Sequence, residues 1–163
     1  TEGMLTSYRS PVFRAAFPFG HGLTYTRFHF HRPRALLGRR CPEAVCLRVN
    51  VTNAGRRAGS EVVQAYLEFV RSTSEPHFVL RSFRKTRVLH PGQSQEVLLA
   101  LTHRDLSAYS PRSGWERRLD VRVHLGASSA DIRHVLTLPA SCAARLAQGA
   151  WLVTLSLLIL LRL

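Results

Sequence analysis

Short stretches of alternating apolar and polar residues constrain the fold of this chain more than any other feature. In the clearest stretch, 45–52, every second residue is apolar: Val45, Leu47, Val49 and Val51. A period of two places these side chains on one face of a half-buried β-strand. Further strand-like stretches lie at 25–31, 61–70, 78–89, 96–101, 119–125 and 132–138. About seven short strands, with no long helical pattern before residue 140, predict an all-β fold, an antiparallel β-sandwich.

Turn-forming residues separate the predicted strands. The stretches 53–55 (NAG) and 91–92 (PG) favour turns, because Asn and Gly tolerate positive φ and Pro fixes φ. The stretch 126–131 predicts another turn between two strands. Residues 105–107 predict a short helical turn, in which Asp105 is the expected cap.

Residues 17–26 read FPFGHGLTYT, a run of proline, paired glycines and aromatics that is far from random. It resembles the segment that links the α/β sandwich domain of family 3 glycoside hydrolases, the β-glucosidases and β-xylosidases, to a C-terminal fibronectin type III-like domain. Thr24 stands where serine is commoner in that family. Other stretches follow in the family's order up to about residue 138, among them VNVTNAG (49–55), GSEVVQAY (59–66), LHPG (89–92) and LGASSADI (125–132).

This resemblance implies a fibronectin type III-like, immunoglobulin-like sandwich over residues 24–139. Residues 1–23 are then the remnant of a preceding α/β domain and a linker, and 140–163 form a hydrophobic C-terminal tail. The implied function is that of an accessory domain in carbohydrate metabolism, whose partners are the catalytic domains that it packs on and supports. In the family the catalytic residues lie in a barrel and in the α/β domain. Both domains are outside this sequence, so the resemblance assigns no catalytic residue and implies a fragment of an O-glycosyl hydrolase.

The acidic residues are the candidates for catalysis that the sequence itself offers. Glycoside hydrolysis needs two carboxyl groups that flank the scissile bond. Glu61 and Glu68 lie on one predicted strand, Glu96 begins another, and Asp105 and Asp131 lie at turns. Their spacing does not pair any two of them in a cleft, so we expect surface charges and caps.

Histidines and cysteines give no framework for a metal or cofactor, and we expect neither. His29 and His31 lie two positions apart on one strand face, without an evident third ligand, and are expected to be solvent-exposed. His21, between two glycines, is expected to be a hydrogen-bonded structural residue. Cys41 and Cys46 either close a small disulfide loop in an oxidising compartment or remain free thiols.

The aromatic residues Tyr66 and Trp115 are expected to be largely buried in the sandwich. Both lie in stretches that match the family, and aromatic side chains contribute large apolar areas to such cores.

The chain carries a net charge of +13, from 23 Lys and Arg residues against 10 Asp and Glu. Lys85 is the one lysine, and the arginines occur in ones and twos, as at 39–40, 56–57 and 117–118. Because no run of five or six is present, we expect solvated surface arginines and no nucleic-acid partner. The alternative is a stand-alone, arginine-rich, membrane-tethered binding module that attracts polyanions.

Two sequence signals suggest a secretory route, and hence an extracellular or cell-surface location. Asn50-Val51-Thr52 is an N-glycosylation sequon, with Asn50 on the outward face of its strand. After residue 139 come a small-residue cluster, a spacer and an apolar end, the order of a GPI-attachment signal with Ser141 as its attachment site. A short membrane anchor and a spurious tail are the alternatives for this segment.

Overall fold

The computed structural model of the chain describes residues 7–10, 12–70, 79–118 and 120–138. Ten strands lie within these ranges: β1 Phe28–Phe30, β2 Arg34–Leu36, β3 Val45–Asn53, β4 Val62–Phe69, β5 Val79–Lys85, β6 Ser94–Leu101, β7 Ser107–Ser110, β8 Gly114–Arg117, β9 Val121–Ser128 and β10 Asp131–Thr137. Two three-residue 3₁₀ turns, Ser7–Arg9 and Gly38–Arg40, complete the regular structure of the described residues.

Two antiparallel four-stranded sheets form the body of the molecule. In the first sheet β3 pairs with β6 along its length, and with β1 and β2 over its two ends. The second sheet has the order β10-β9-β4-β5. A separate two-stranded sheet joins β7 and β8. This arrangement confirms the predicted all-β, fibronectin type III-like sandwich.

The core lies between the facing sides of the two sheets. Alternate residues of the long strands supply it, as the period of two requires. Its fully buried aliphatic side chains include Val45, Leu47, Val49, Val51, Val63, Leu67, Val97, Leu99, Leu101, Val123 and Leu125. The inward alternation predicted for 45–52 is therefore confirmed.

Three short strands lie in stretches where the sequence predicts no strand. β2, β7 and β8 have three or four residues each, too few for alternation to show in the sequence. The expected helical turn is present but begins earlier than predicted: the Leu106 N–H donates to the Thr102 carbonyl at 3.3 Å and the Ser107 N–H to the Arg104 carbonyl at 3.1 Å, while Ser107 begins β7. Asp105 caps this turn as expected, because its Oδ2 accepts hydrogen bonds from the backbone N–H and the hydroxyl of Thr102, at 2.9 and 2.7 Å.

The turn predicted at 126–131 is shorter than expected. β9 continues to Ser128, and β10 begins at Asp131. Gly126 permits this extension, because a Cβ at that position would overlap the carbonyl oxygen of Asp131 on the neighbouring strand.

The two aromatic residues expected in the core have different environments. Tyr66 is fully buried, as predicted, but it lies on the outer face of the second sheet and not in the core between the sheets. The prediction for Trp115 is wrong: the residue is 51% exposed. It lies on β8, which among the described strands pairs with β7 alone, and its ring contacts Tyr109 at 5.5 Å and the Arg104 guanidinium at 4.7 Å. The hairpin lies outside both large sheets, so Trp115 packs on its neighbours rather than in the core.

The tail predicted at 140–163, with the expected GPI attachment at Ser141, lies outside the described residues. Most of the predicted remnant at the N-terminus lies within them, beginning at Ser7. Among the residues described, no helix has the length and apolar character needed to cross a bilayer.

Candidate functional site

The segment 17–23, here called the linker, lies against the outer face of the β10-β9-β4-β5 sheet. Gln64 on β4 holds it there. The Nε2 of Gln64 donates hydrogen bonds to the Gly20 carbonyl at 3.0 Å and to the Ala127 carbonyl at 2.6 Å. Its Oε1 accepts one from the Tyr66 hydroxyl at 2.6 Å. The Gln64 amide is buried and uses both its donor and acceptor sides, so it joins the linker to two neighbouring strands.

Aromatic stacking adds a second attachment beside this amide. The ring of Phe19 stacks on Tyr8 at 4.3 Å, and Tyr8 meets Tyr66 edge-on at 5.9 Å. The Phe19 carbonyl accepts a hydrogen bond from the Ser129 N–H at 2.9 Å. Tyr8 also accepts one from the Leu80 N–H, at 3.0 Å. Burial, with a smaller contribution from Tyr8, raises the pKa of Tyr66, so its hydroxyl remains a hydrogen-bond donor at neutral pH.

Gly20 is the position of the FPFGHG motif that the geometry requires to be glycine. Its φ is 78°, in the left-handed region. A Cβ there would overlap Oε1 of Gln64. The motif therefore places a residue without a side chain where the linker backbone contacts the amide. His21 is exposed; its ring stacks on Phe17, and its backbone N–H donates to the Pro18 carbonyl.

The chain leading into and out of the linker exposes large apolar side chains. The most exposed are Val12 (84%), Phe13 (53%), Phe17 (71%), Leu23 (93%) and Tyr25 (94%). Together these five residues are called the linker surface. Soluble monomers rarely expose so many large apolar groups on one segment, and such groups commonly mark an interface.

A cavity of about 380 Å³ lies between the linker and the adjoining strand ends, lined in part by Glu61, Asp131 and Arg133. Arg133 donates to both carboxylate oxygens of Asp131, at 3.2 and 2.8 Å, and lies 3.9 Å from the Glu61 carboxylate. The hydrogen bonds from Arg133 lower the pKa of Asp131. Burial raises the pKa of Glu61, although the Val62 N–H and Arg133 act in the opposite direction.

This cavity brings together two carboxyl groups that the sequence did not pair, because they lie far apart along the chain. Hydrolysis of a glycoside requires one carboxylate that is free to attack or to activate water. Both oxygens of Asp131 are instead held by Arg133. The geometry is therefore that of a structural ion pair beside the linker.

The other candidate carboxylates also make ion pairs or cap turns. Glu68 pairs with His124 at 2.7 Å and with Arg122 at 3.3 Å. Glu96 lies 3.6 Å from Arg48 on the outer face of the first sheet. These positions agree with the expectation of surface charges.

Comparison with known proteins identifies the family. Residues 61–129 match the model of a fibronectin type III-like domain. A β-glucosidase of Ruminococcus albus is 39% identical over 97 residues, 59% of this chain and 10% of that enzyme. A β-glucosidase of Rhizobium radiobacter is 36% identical over 138 residues, 81% of this chain and 17% of that enzyme.

Solved structures of β-glucosidases point to the same family. DesR, a β-glucosidase from Streptomyces venezuelae, matches 84% of this chain with a TM-score of 0.75 and 30% identity. β-Glucosidase 3B from Thermotoga neapolitana matches 85% of it, also with a TM-score of 0.75 and 30% identity. The chain is a C-terminal fibronectin type III-like domain of the family 3 glycoside hydrolase type. This domain covers 18% and 20% of those two solved chains, so it corresponds to a small part of each.

The cysteines and paired histidines of the domain have structural partners. Cys41 and Cys46 form a disulfide with a Cα–Cα distance of 5.5 Å, which resolves the two alternatives. His29 and His31 are exposed, lie edge-to-face at 4.7 Å, and His31 contacts the Thr52 hydroxyl at 2.8 Å. The described part of the domain contains no group of three or more His, Cys, Asp or Glu residues that could hold a metal ion.

Asn50 lies on the face of the domain that is opposite the linker. Its side chain is exposed at the outer face of the first sheet, while the linker covers the outer face of the second. A glycan at Asn50 would therefore project away from the linker surface. Glycosylation at this position stays a prediction.

Proposed function

We propose that this chain is the accessory domain of a β-glucosidase of family 3, where it packs on the catalytic domains and supports them. The observation that carries the proposal is the linker surface. Five large apolar side chains are exposed on the segment immediately before the sandwich, while Gln64, Tyr8 and Tyr66 hold that segment in place. Burying these side chains against another domain would remove their apolar area from water. Each Å² buried in this way would stabilise the contact by about 25 cal/mol.

The outer face of the second sheet extends this contact beyond the linker. Phe83 on β5 is 67% exposed, and Val135 on β10 is 55% exposed. Cross-strand pairing places Phe83 opposite Gln64, and Val135 opposite His124. Apolar groups therefore lie on both sides of the docked linker, which favours one continuous contact with a catalytic domain.

The relatives reported above are β-glucosidases, which favours a β-linked glucoside over a xyloside as the substrate of the complete enzyme. A role in carbohydrate metabolism follows from that substrate class. We assign the catalytic residues to the partner domains, and this chain supplies structural support.

We also propose that the complete protein enters a secretory pathway and acts outside the cell or at its surface. The Cys41–Cys46 disulfide supports this route, because disulfides persist mainly in oxidising compartments. The expected membrane attachment through Ser141 remains a proposal that depends on the tail.

A chimaeric enzyme tests the accessory role. In the Rhizobium radiobacter β-glucosidase, the matched region would be replaced by this chain, and activity and the half-life of thermal inactivation would be measured. Replacing Phe13 and Phe17 by Ser should shorten the half-life at least about thirtyfold, since each loses apolar burial worth more than about 1 kcal/mol.

The matched control changes two exposed apolar residues away from the linker, Leu37→Ser with Leu98→Ser. This pair should leave the half-life within about twofold of the parent chimaera. Equal half-lives for both double variants would refute docking through the linker surface.

A further inference from the structure

Basic side chains that are separated in the sequence meet at one end of the sandwich. Three of the chain segments at this end carry them: the start of β1, the β3–β4 loop, and the end of β5 with the β5–β6 loop. Seven exposed basic residues lie on these segments, here called the cationic end: Arg27, Arg56, Arg57, Arg84, Lys85, Arg87 and His90.

Asn53 fixes these segments relative to one another. It is fully buried, and its Nδ2 donates to the carbonyls of Arg57 at 2.8 Å and Leu89 at 2.7 Å. Its Oδ1 accepts from the Thr26 hydroxyl at 2.7 Å and from the Gly55 N–H at 3.0 Å. One side chain therefore bonds to all three segments that carry the basic residues. Because the amide is fully satisfied, the loops are held rather than free.

Further backbone bonds connect the same segments. The Ala54 N–H donates to the Arg27 carbonyl at 2.8 Å, and Gly59 and Leu89 exchange hydrogen bonds of 3.1 and 2.7 Å. The Arg87 N–H is bound by the Gln95 side chain at 2.9 Å. The basic side chains themselves take no part in these bonds.

The charge of the cationic end is not neutralised within the described part of the chain. None of its seven residues forms an ion pair within 4.0 Å there. The nearby carboxylates Glu61 and Asp131 are both associated with Arg133. The six arginine and lysine side chains among them carry like charges and repel one another, and a polyanion would relieve that repulsion.

We propose that the cationic end binds an anionic polysaccharide that carries sulfate or carboxylate groups. Five of the seven residues are arginines, and a planar guanidinium can bind such oxyanions through two parallel hydrogen bonds. The end consists of loops, whereas reading a DNA major groove requires a helix or a β-ribbon. The choice of a saccharide over other polyanions rests on the proposed glycosidase function, because this surface would hold the enzyme on a charged polysaccharide while the catalytic domains act on a neutral β-linked glucoside.

Two arginine doublets provide a matched test. Arg56→Ser with Arg57→Ser lowers the net charge by two at the cationic end, and Arg39→Ser with Arg40→Ser lowers it equally elsewhere. All four side chains are exposed, and Asn53 uses the backbone of Arg57 rather than its guanidinium. Thermal melting of both full-length variants should match the parent, which shows that folding is retained.

The dissociation constant for heparin, a sulfated polysaccharide, would be measured for each protein near physiological salt, with uncharged dextran as the negative probe. Losing two contacts at the cationic end should weaken heparin binding about tenfold, and the 39–40 variant should stay within about twofold. If heparin affinity falls equally in both variants, the net charge of the protein alone explains the binding, and the proposed site at the cationic end is overturned. Absence of heparin binding, or tighter binding of duplex DNA of equal charge, would overturn the polysaccharide assignment.

The chimaeric enzyme separates this proposal from the proposed function. The 56–57 variant should leave its thermal half-life unchanged, because neither arginine belongs to the linker surface. Loss of heparin binding with an unchanged half-life supports polysaccharide binding at the cationic end, independently of whether the linker surface docks on the catalytic domains. A shortened half-life would show that the two arginines contact the catalytic domains, and would overturn the assignment of a free polysaccharide site.

Discussion

Gly20 determines whether the linker can lie on the sheet, because only a residue without Cβ fits against Gln64. Gly20→Ala should cost about 1–2 kcal/mol for the left-handed backbone alone, with more from the overlap with Oε1. The expected result is faster hydrogen exchange at the His21 amide, whose N–H bonds to the Pro18 carbonyl. Native-state exchange measured by NMR would detect it.

Gly22 offers a control within the same motif. A Cβ there would meet no atom within 4 Å, and Gly22 does not adopt a positive φ. Gly22→Ala should therefore leave exchange at His21 unchanged. If both alanines accelerate exchange equally, the contact between Gly20 and Gln64 is not what holds the linker.

Trp115 shows how exposure changes the expected effect of removing a large aromatic side chain. At 51% exposure, and packed mainly on Tyr109 and Arg104, Trp115→Ala should cost only about 1 kcal/mol. Leu67 is fully buried, and Leu67→Ala should cost about 2–5 kcal/mol. Urea denaturation of the two variants measures both values. A Trp115 variant that loses as much stability as the Leu67 variant would show that the hairpin packs on the core.

Glu61 should make the stability of the domain depend on pH, in a direction that follows from its raised pKa. Burial raises its pKa in the folded state, so its contribution to stability is fully present below the usual Glu pKa and is lost as pH rises through the raised value. Glu61→Gln removes this loss and keeps an acceptor for the Val62 N–H. The melting temperature of the variant, relative to the parent, should therefore be higher near pH 7 than near pH 4.

Asp131 is expected to behave in the opposite way, because Arg133 lowers its pKa. Its contribution to stability is present above the usual Asp pKa and is lost as pH falls through the lowered value. Asp131→Asn should thus destabilise more near pH 7 than near pH 3. A Glu61 variant that follows the Asp131 pattern would mean that attraction by Arg133 outweighs burial.

Among the strands, the sequence predicts best those that face the core on one side. β3, β4 and β9 were recognisable because inward residues repeat at every second position over eight or nine residues. β2, β7 and β8 were missed because three or four residues show no period, and their pairing depends on contacts between different segments. Local sequence does not encode such contacts strongly.

The docking of the linker also depends on contacts between distant segments. Gln64 and Tyr66 fall at outward positions of β4, where polar or half-exposed residues are normal. Their burial arises because the linker and Tyr8 cover them. A large aromatic residue at an outward strand position, such as Tyr66, is a sequence feature from which a covering segment could have been inferred. No comparable feature of the sequence indicates that Glu61 and Asp131 lie close together.

The Cys41–Cys46 disulfide ties the loop after β2 to the second residue of β3. Closing so short a loop should stabilise the domain by about 2 kcal/mol, through the lost freedom of the unfolded chain. Cys41→Ala with Cys46→Ala should lower the free energy of unfolding by about that amount, measured with urea under non-reducing conditions. A reducing agent should lower the stability of the parent and leave the variant unchanged, and an equal loss in both would contradict the assignment.

In the whole molecule, the basic residues are dispersed along the sequence but clustered in the fold. In the sequence the arginines occur in ones and twos, which predicts dispersed, solvated groups. The sandwich topology brings the loops after β3 and β5 to the same end, so residues distant in the chain form one cationic end. Net charge alone could not predict this, because the clustering is a property of strand order.

The chain alone is expected to hydrolyse neither aryl β-glucosides nor aryl β-xylosides. In the described part of the chain, Glu61 and Asp131 line one cavity, and Arg133 occupies both oxygens of Asp131. Glu61 is not held in this way, but hydrolysis needs two carboxyl groups that flank the scissile bond, so we expect neither attack on the sugar nor activation of water there. Release of the aryl group would be measured with purified full-length protein, with the chimaeric β-glucosidase as the active reference. Turnover that persists through purification and disappears in a Glu61→Gln, Asp131→Asn double variant would place catalysis in this domain, and would require Arg133 to release Asp131 when substrate binds.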